Sequence, residues 1–406
     1  MSQLVASVLG GRLRALGLRH VTWLCASGLV GSLCLVVAVA LLVSAPALAQ
    51  DAEGPELTEA QAALLVDSEG NVLFSKNPEQ EIAMASITKV MTAVVALESG
   101  KDLDAAYQLQ GVSLPEEAII AGYKEGMSST LRDLLRVMLV KSANDAASEV
   151  AIAVAGSEDA FVQMMNDKAQ ALGMSHTHFM NPHGLDAEGH YSCVQDLVKL
   201  GRYALTRHPF IAETVQLGEV SAPVGEVMAS FETTDEFLLE YPGALGIKTG
   251  VGDSATSFLG CARRDGTTLY SCVLGCTTKE GRFTDTEALF DWAWGTYRHY
   301  ELAGANSAQL VPFAYHFGLS CVSAADATTP GLVWPQGGAT TFQRIMTVPR
   351  TYSVPSSALG VCQWRQDGRT VGTASYSTAP VLAPSYSGFG LLDCSRYIQE
   401  RLSDAA

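Results

Sequence analysis

Basic side chains are scarce in this chain, and their scarcity limits the partners it can have. Its 406 residues include 26 Lys and Arg against 42 Asp and Glu, a formal net charge of −16 at pH 7. Nucleic acids and anionic lipid surfaces attract positive charge, so this balance argues against both as partners. An acidic surface also serves solubility alone, so the charge by itself identifies no partner.

Metal-ligand spacing is missing as well. The chain has nine Cys and eight His, yet no C-x-x-C pair and no Cys/His cluster with zinc spacing. His176 and His178 are two residues apart, which suits a strand or turn better than a helical pair of metal ligands. We therefore expect no metal and no other cofactor. Seven cysteines follow residue 49, and this odd number predicts at least one free thiol.

The first fifty residues contain no acidic side chain. Three arginines precede an apolar stretch at 21–43, and A-P-A-L-A-Q follows at 45–50. These small residues predict a signal peptide that is cleaved after Ala49. A bilayer span needs about 20 apolar residues, so an uncleaved N-terminal membrane anchor at 1–49 is the alternative. In both cases the rest of the chain is exported, to be secreted or associated with the cell membrane or cell wall.

The hydrophobic pattern after the leader predicts strands at both ends of a helical centre. Such an order is typical of an α+β domain with one antiparallel sheet. Beyond about residue 300 charges become sparse, and D-G at 367–368 between two apolar runs predicts a β-hairpin. Predicted strands lie at 62–66, 72–74, 245–249, 257–262 and 268–275, and predicted helices at 86–98, 131–141, from 144, 158–172 and 287–294. The predicted domains are the leader at 1–49, the α+β domain at 55–298, a small all-β domain at 301–392 and a short tail at 393–406.

A serine and a lysine on one helical turn form the first chemical element, S-I-T-K at 86–89. A serine hydroxyl needs a nearby base to act as a nucleophile. Ser86 and Lys89 stand at i and i+3, with Cβ atoms about 5–6 Å apart on a helix. A lysine becomes a usable base when burial or a neighbouring cation, such as Lys248, lowers its pKa. S-x-x-K alone also marks ordinary helix starts, but here the flanking residues are apolar.

Two further elements, S-A-N at 142–144 and K-T-G at 248–250, follow at wide spacing. Ser142 can relay a proton to a leaving amine, and Asn144 can accept from Lys89 and donate to a substrate amide. Both residue types are also common helix caps, which is the local alternative. At the end of a strand, Lys248 supplies positive charge, Thr249 a hydroxyl and Gly250 room for close approach. An edge strand there would pair with an extended peptide, whereas the alternative is a strand-ending turn.

These three elements in this order resemble the active site of the low-molecular-mass penicillin-binding proteins, the serine-type D-alanyl-D-alanine carboxypeptidases. The resemblance covers about residues 61–297 and implies a β-lactamase/transpeptidase-like domain, an antiparallel sheet with a helical subdomain. Other segments that match the family are K-S-A-N-D-A-A at 141–147, L-G-M at 172–174, N-P-H-G-L at 181–185, G-H-Y at 189–191 and Y-P-G at 241–243. We interpret N-P-H-G-L as a structural turn and do not assign His183 to catalysis.

The resemblance also implies roles for individual residues. Ser86 would be the acylated nucleophile and Lys89 its base. Ser142, Asn144 and Lys248 would complete the proton relay and the substrate contacts. The backbone N–H groups of Ser86 and Val251 would form the oxyanion hole. Thr249 and Arg282 would hold the terminal carboxylate of the substrate, although an arginine at a helix start is often a surface residue.

Three features depart from the family pattern. Cys193 stands where Ser or Thr is usual, and Asp235 stands where Asn is common. We expect both to lie away from the core chemistry. Residues 391–406 are short and mixed where many members carry an amphipathic anchor helix, so a tether would have to be N-terminal.

The implied activity is removal of the terminal D-alanine from peptidoglycan stem pentapeptides through an acyl-serine intermediate, which limits cross-linking. Stem peptides are then the partners and β-lactams the inhibitors. A class A-like β-lactamase is one alternative, but it needs an additional glutamate, and Glu149 and Glu158 lack a matching motif. A D,D-endopeptidase and a non-catalytic cell-wall binding or scaffold protein are the others.

Overall fold

The computed structural model describes residues 54–253 and 255–303 and, beyond these, the strand segments 311–315, 318–322, 328–333, 341–346 and 358–377. The predicted leader at 1–49 and the tail at 393–406 lie outside the described residues. The limits of the two predicted domains remain predictions. Within the described part of the chain, no helix is both long and apolar enough to cross a membrane.

The described chain contains the helices and strands that the pattern predicts, in the predicted order, together with helices at 194–207, 209–214 and 236–240 and short strands at 106–108, 128–130, 219–224 and 227–232 that it did not predict. The helices are α1 (Thr88–Glu98), α2 (Leu131–Val140), α3 (Asn144–Ala155), α4 (Glu158–Ala171), α5 (Val194–Arg207), α6 (Pro209–Thr214), α7 (Glu236–Glu240) and α8 (Lys279–Thr296). The strands are β1 (Ala62–Asp67), β2 (Val72–Lys76), β3 (Ala106–Gln108), β4 (Ser128–Thr130), β5 (Glu219–Val224), β6 (Val227–Glu232), β7 (Ala244–Val251), β8 (Thr256–Arg264), β9 (Thr267–Cys276), β10 (Arg298–Ala303), β11 (Val311–Tyr315), β12 (Gly318–Val322), β13 (Thr328–Val333), β14 (Thr341–Met346), β15 (Ala358–Gln366) and β16 (Arg369–Ser377).

One five-stranded sheet organises the first domain. Its order is β2-β1-β9-β8-β7, and every neighbouring pair is antiparallel. Strands from the beginning of the domain, β1 and β2, therefore lie in the same sheet as strands from its end, β7 to β9, as the pattern predicts. β7, which carries K-T-G, lies at the edge, and an edge strand presents unpaired backbone groups to a partner.

Alternate residues of β1 show that both faces of the sheet are covered. Leu64 packs into a core with the helices of the central region, whereas Leu65 packs into a second core with Phe290 of α8. Successive side chains of a strand point to opposite faces. Because both of its faces are buried, β1 is apolar along most of its length. The helices form one layer on each side of the sheet.

Two helices differ from the predicted bounds. A 3-10 turn at Ala85–Ile87 precedes α1, so Ser86 lies in this turn and not in the α-helix itself. α8 begins at Lys279, eight residues before the predicted start, because Thr278 caps it by accepting a hydrogen bond from Gly281 N–H at 2.8 Å. Its first turn is rich in polar residues, which is why the apolar pattern begins late.

The described residues beyond α8 are strands. They pair as β10 with β13, β11 with β12, and β14 with β15 and β16. The predicted hairpin at 367–368 is confirmed, since Gln366 pairs with Arg369 across the turn. Thr373 Oγ1 donates to Glu69 Oε2 at 2.7 Å, which ties this hairpin to the turn between β1 and β2.

Candidate active site

Ser86 lies in the one-turn 3-10 helix, where a strained backbone presents it. Ala85 has a φ of +50°, in the left-handed region that residues with a Cβ rarely adopt. Gly184 of N-P-H-G-L packs against this turn, since a Cβ at its position would lie 2.1 Å from the Ala85 carbonyl oxygen. The segment is therefore a structural turn that supports the turn carrying Ser86, as predicted.

Lys89 is fully buried beside Ser86, and three oxygen atoms surround its amine. Nζ lies 2.8 Å from Ser86 Oγ, and it donates to Asn144 Oδ1 at 2.6 Å and to the carbonyl oxygen of His183. The amide and carbonyl oxygens can only accept, whereas the serine hydroxyl can also donate. A neutral amine has two hydrogens and one lone pair. These partners therefore occupy both hydrogens and leave the lone pair facing the Ser86 hydroxyl.

The surroundings of Lys89 favour that neutral form. Burial lowers the pKa of Lys89 well below its usual value, and the positive charge of Lys248 lowers it further. Asp145 acts in the opposite direction, but its effect is the smallest of the three. Burial and a second lysine thus both act in the direction that the sequence analysis expects, and the role of Lys89 as a base stays a prediction.

Asn144 meets this group from the turn between α2 and α3, and the same turn carries Ser142. Ser142 has a φ of +64°, and such backbone strain clusters at functional sites. Asn144 opens α3, and its backbone N–H donates to the Ile119 carbonyl oxygen at 2.7 Å. Both residues are buried. The Asn144 side chain therefore does not cap the helix, the local alternative, because its Oδ1 accepts a hydrogen bond from Lys89.

Asp145, the residue after S-A-N, fixes the loop that borders the turn. Its carboxylate accepts from the backbone N–H groups of Ala121, Gly122 and Tyr123 at 2.8–3.1 Å. Sequence reasoning included this residue in the K-S-A-N-D-A-A match but gave it no role. The three backbone amides that Asp145 binds lie more than twenty residues earlier in the chain, so no local sequence pattern indicates this role.

K-T-G lies at the edge of the sheet, against the turn that carries Ser86. Lys248 and Thr249 are buried, and Thr249 Oγ1 lies 2.7 Å from Thr234 Oγ1. A Cβ on Gly250 would lie 2.8 Å from the Met84 carbonyl oxygen, just before the Ser86 turn. Glycine is therefore required there for close approach of strand to turn, as predicted, and the strand continues past K-T-G to Val251, which is 43% exposed.

Arg282 is a buried residue and not a surface arginine. It is 3% exposed, and its Nη1 donates to the Gly250 carbonyl oxygen at 3.0 Å. Its Nε is buried and, within the described part of the chain, has no hydrogen-bond partner. The guanidinium thus reaches K-T-G from α8 with hydrogen-bonding capacity left over.

Asp235 lies beside these cations, which corrects the expectation that it stands away from the core chemistry. It is 4% exposed, and its charge favours the ammonium form of Lys248. Burial and the charge of Arg282 act against that form and lower the pKa of Lys248 to about 7. Cys193, the other departure, is buried with Cys261, Cys272 and Cys276 as free thiols.

The imidazole of His183 serves its own loop. Its Nδ1 accepts from the Leu185 backbone N–H at 3.1 Å, and only its carbonyl oxygen contacts Lys89. Burial, followed by the charge of Lys89, lowers the pKa of His183 to about 3, so the ring is neutral. Among the described residues, no three His, Cys, Asp or Glu side chains are arranged to hold a metal ion.

The site therefore has two sides, which come from distant parts of the chain. We call Ser86, Lys89, Ser142 and Asn144 the helical side, and Lys248, Thr249, Val251 and Arg282 the strand side. The helical side holds a serine beside a buried amine whose pKa is lowered, an arrangement that suits nucleophilic attack on a carbonyl. The strand side holds cations and a strand edge, which suit an extended ligand with a carboxylate.

Comparison with known proteins points to one family. The sequence profile described as D-alanyl-D-alanine carboxypeptidase matches residues 49–278. The D-alanyl-D-alanine carboxypeptidase DacB2 of Mycobacterium tuberculosis is 35% identical over 231 residues, which cover 55% of this chain and 78% of that protein. A D-alanyl-D-alanine endopeptidase of Pseudomonas aeruginosa is 35% identical over 182 residues, 45% of this chain and 58% of that protein.

Solved structures agree with these relatives. Penicillin-binding protein D2 of Listeria monocytogenes, in a crystal structure with bound cefotaxime, superposes with a TM-score of 0.53 at 33% sequence identity. The match covers 59% of this chain and 98% of that structure. The predicted β-lactamase/transpeptidase-like fold of the first domain is confirmed.

Proposed function

Because this chain belongs to the D-alanyl-D-alanine carboxypeptidase family, we propose that Ser86 is the nucleophile with which it removes the terminal D-alanine from peptidoglycan stem pentapeptides. The chain is a serine-type carboxypeptidase, a hydrolase of the penicillin-binding class. The observation that carries the assignment of Ser86 is the geometry of Lys89. Its Nζ lies 2.8 Å from Ser86 Oγ and contacts the acceptor oxygens of Asn144 and His183, so the lone pair of a neutral amine would face the Ser86 hydroxyl.

Acylation follows from this geometry. Lys89 takes the proton of Ser86 Oγ while that oxygen attacks the carbonyl carbon of the penultimate D-alanine. Negative charge develops on the carbonyl oxygen, and the backbone N–H groups of Ser86 and Val251 stabilise it. Ser142 passes a proton to the amine of the leaving D-alanine. The C–N bond breaks, and the rest of the peptide remains as an ester of Ser86.

Substrate contacts come from both sides of the cleft. The stem peptide lies along β7 as an added strand, and Asn144 donates to one of its amide oxygens. Thr249 and Arg282, with the nearby charge of Lys248, hold the terminal carboxylate of the substrate. The unpartnered Arg282 Nε supports this role, since a buried guanidinium with spare donors suits an anionic ligand.

Hydrolysis of the ester completes the cycle. Lys89, which returns to its neutral form when the leaving amine is protonated, activates a water molecule that attacks the ester. The products are a tetrapeptide and free enzyme. A β-lactam acylates Ser86 in the same way, but its leaving group stays attached, so the ester persists and the enzyme is inhibited.

The deciding experiment is release of D-alanine from a stem pentapeptide by purified residues 50–406 and by their Ser86→Ala variant. We expect release by the wild type, and labelling of it by a fluorescent penicillin, with both lost in the variant. Release that persists in Ser86→Ala would overturn the assignment of the nucleophile. Labelling without release would move the proposal to another acyl-transfer reaction at the same serine.

Endopeptidase action on cross-links is the second candidate, because the Pseudomonas aeruginosa relative carries that name. The same site would cleave a D-alanyl bond whose leaving group is a side-chain amine of a neighbouring stem peptide. Such a substrate lacks the free terminal carboxylate at this position. Comparison of a cross-linked dimer with a pentapeptide separates the two activities.

Neither Glu149 nor Glu158, the two glutamates considered for a β-lactamase, supports that alternative. The carboxylate of Glu149 accepts from the backbone N–H groups of Gln110 and Gly111 at 3.1 and 2.7 Å, so it serves a loop. Glu158 lies in the capped first turn of α4. A scaffold without catalysis has no use for a buried lysine whose lone pair faces a serine, and penicillin labelling excludes it directly.

The substrate lies in the cell wall, so the enzyme acts outside the cytoplasm. We propose export through the segment at 1–49, which is either cleaved after Ala49 or retained as a membrane tether. We further propose that the catalytic domain spans 55–298 and that the strands after it form a separate β-domain at 301–392. Cell fractionation with N-terminal sequencing of the mature protein decides between cleavage and tether.

A further inference from the structure

A buried histidine that the proposed chemistry does not use contacts the segment that carries Ser86. His190 of G-H-Y is 5% exposed, and its two ring nitrogens have separate partners. Nδ1 accepts from the Met180 backbone N–H at 3.0 Å, and Nε2 lies 2.8 Å from Thr88 Oγ1. The ring is therefore held on both sides, and one of its two contacts reaches the first residue of α1.

The hydrogen bonds of Thr88 fix the direction of this contact. Its hydroxyl has one hydrogen, which it donates to the Ala85 carbonyl oxygen at 2.8 Å. Toward His190 the hydroxyl can then only accept, so Nε2 must carry the ring hydrogen. The Met180 contact requires the same tautomer independently, because a ring nitrogen that accepts from a backbone N–H carries no hydrogen. The groups therefore form one directed chain, from Nε2–H through the Thr88 hydroxyl to the Ala85 carbonyl.

Ala85 is the strained residue directly before Ser86. Its φ of +50° persists only where the surroundings hold it. The backbone N–H and the hydroxyl of Thr88 both donate to its carbonyl oxygen, and Gly184 packs against the same oxygen. A threonine hydroxyl commonly binds a carbonyl of the preceding turn by itself. Here the ring of His190 also fixes the rotation of that hydroxyl, so a local contact becomes part of a tertiary one.

The loop at 181–190 contacts two successive residues of α1. Lys89 Nζ donates to the carbonyl oxygen of His183, and the ring of His190 binds the Thr88 hydroxyl. The first contact is made by the backbone of the loop and the second by a side chain. A shift of this loop would therefore move the proposed base and the strained turn relative to each other.

We propose that His190 is a positioning residue: through the Thr88 hydroxyl it fixes the carbonyl of Ala85, and so holds the strained turn in the conformation that aims Ser86 Oγ at Lys89. It contacts no substrate and transfers no proton. Its effect on acyl transfer rests on the proposed function, whereas the hydrogen-bond chain is a property of the folded protein alone.

Two substitutions of His190 separate its two hydrogen bonds. His190→Gln places an amide donor near the position of Nε2, whereas the shorter His190→Asn reaches only the position of Nδ1 and loses the donor to Thr88. We expect the saturating rate constant of acylation by a fluorescent penicillin to fall about tenfold in His190→Asn, because the turn can then shift. In His190→Gln it should stay within about threefold of wild type. A rate in His190→Asn that equals or exceeds that of His190→Gln overturns the proposal.

The form of the loss distinguishes positioning from damage to the fold. Positioning lowers the rate constant and leaves the penicillin concentration at half saturation unchanged. A smaller labelled fraction with an unchanged rate constant would mean partial unfolding and would overturn the proposal. His176→Asn is the matched control, since the partly exposed ring of His176 binds Glu81 Oε1 at 3.3 Å. We expect the wild-type rate from it, and an equal loss there would overturn a specific role for His190.

Thr88→Val tests whether His190 acts through the hydroxyl. Valine keeps the branched shape of threonine and removes the hydroxyl, so it breaks the chain in its middle. If the chain acts as a unit, adding His190→Asn to Thr88→Val slows acylation no further. A second full loss in the double variant would mean that the two residues act independently and would overturn the proposal.

A measurement without turnover separates this inference from the proposed function. Imidazole labelled with 15N reports by NMR which ring nitrogen carries hydrogen, and the signals of His190 are assigned by their absence in His190→Gln. Burial lowers the pKa of His190 to about 4, so the ring is neutral at pH 7. We expect the hydrogen on Nε2, whether or not the enzyme releases D-alanine. A hydrogen on Nδ1, or on both nitrogens at pH 7, overturns the inference even in an active enzyme.

Discussion

The amine of Lys89 on the helical side has three hydrogen-bond partners, whereas Arg282 Nε and Asp235 Oδ2 at the strand side have none among the described residues. The two sides also differ in the fate of their lysines. Lys89 is held where its neutral form is used, and Lys248 is held beside a carboxylate that favours its charge. Under the proposed function, the helical side is therefore complete before substrate arrives, and an anionic ligand would complete the strand side.

The largest effect is expected where the helical side loses its base. Lys89→Met keeps the length and the apolar stem but removes the lone pair, so we expect penicillin acylation to fall about 10³-fold or more. The variant leaves the Asn144 Oδ1 and the His183 carbonyl oxygen without this donor, so we expect only a modest fall in the unfolding temperature. Acylation rate and thermal unfolding, measured together, check this. A strong loss of stability would mean that the helical side holds the fold together as well.

The pH dependence of acylation tests how the strand side influences the helical side. An ammonium has no lone pair, so activity falls as the pH drops through the pKa of Lys89, which lies below its usual value. Lys248→Gln removes a neighbouring cation, which raises the pKa of Lys89. We expect the acid limb of the acylation profile to move to higher pH in that variant, with lower activity throughout. A shift in the opposite direction would contradict the coupling of the two sides.

Gly250→Ala tests the contact between the sides. The added Cβ would approach the Met84 carbonyl oxygen to 2.8 Å, and backbone atoms cannot yield cheaply. The turn that carries Ser86 must move away from β7, and a displacement near 1 Å costs about 10²-fold in rate. Acylation kinetics provide the measurement, and Gly295→Ala, where a Cβ meets nothing within 4 Å, is the control. Equal rates in the two variants would show that the approach is not needed.

Loss of an anion-binding group on the strand side should act mainly on binding. Arg282→Gln removes the charge that faces the Gly250 carbonyl, so we expect KM for the pentapeptide to rise about tenfold or more, with a smaller change in kcat. Arg282→Lys keeps the positive charge but lacks the planar guanidinium with its forked donors. We therefore expect this variant to bind the pentapeptide better than Arg282→Gln but less well than wild type. Steady-state kinetics separate KM from kcat. A fall in kcat alone would place Arg282 in the chemistry and not in binding.

We expect the smallest effect on acylation from a residue that belongs to neither the helical side nor the strand side. Thr130 caps α2 through its hydroxyl, which accepts from the Asp133 N–H at 3.1 Å. Thr130→Ala should lower the free energy of unfolding by about 1 kcal/mol and leave acylation unchanged. Denaturant titration and acylation rate, compared with wild type, check the two parts. Reduced acylation would show that the cap at the start of α2 influences the turn with Ser142 and Asn144 at its other end.

Much of the fold follows from local pattern. The β1–β2 hairpin, the helix after Thr130 and the edge position expected of K-T-G agree with the structure, because alternation and spacing report which face of an element is buried. The start of α8 and the 3-10 turn at Ser86 do not follow from pattern. Both depend on a cap or a strained turn that neighbouring segments stabilise.

The sequence by itself determined the family of this protein, since S-x-x-K, S-x-N and K-T-G follow in the order of the family's active site and predict a nucleophile with its base, a proton relay and a cationic strand. Only the tertiary structure decided how these groups are charged and which others join them. The carbonyl of His183, the carboxylate of Asp145 and the buried Asp235 are distant in sequence from the lysines they affect. Protonation depends on burial and on charges brought close by folding, and no local spacing encodes either.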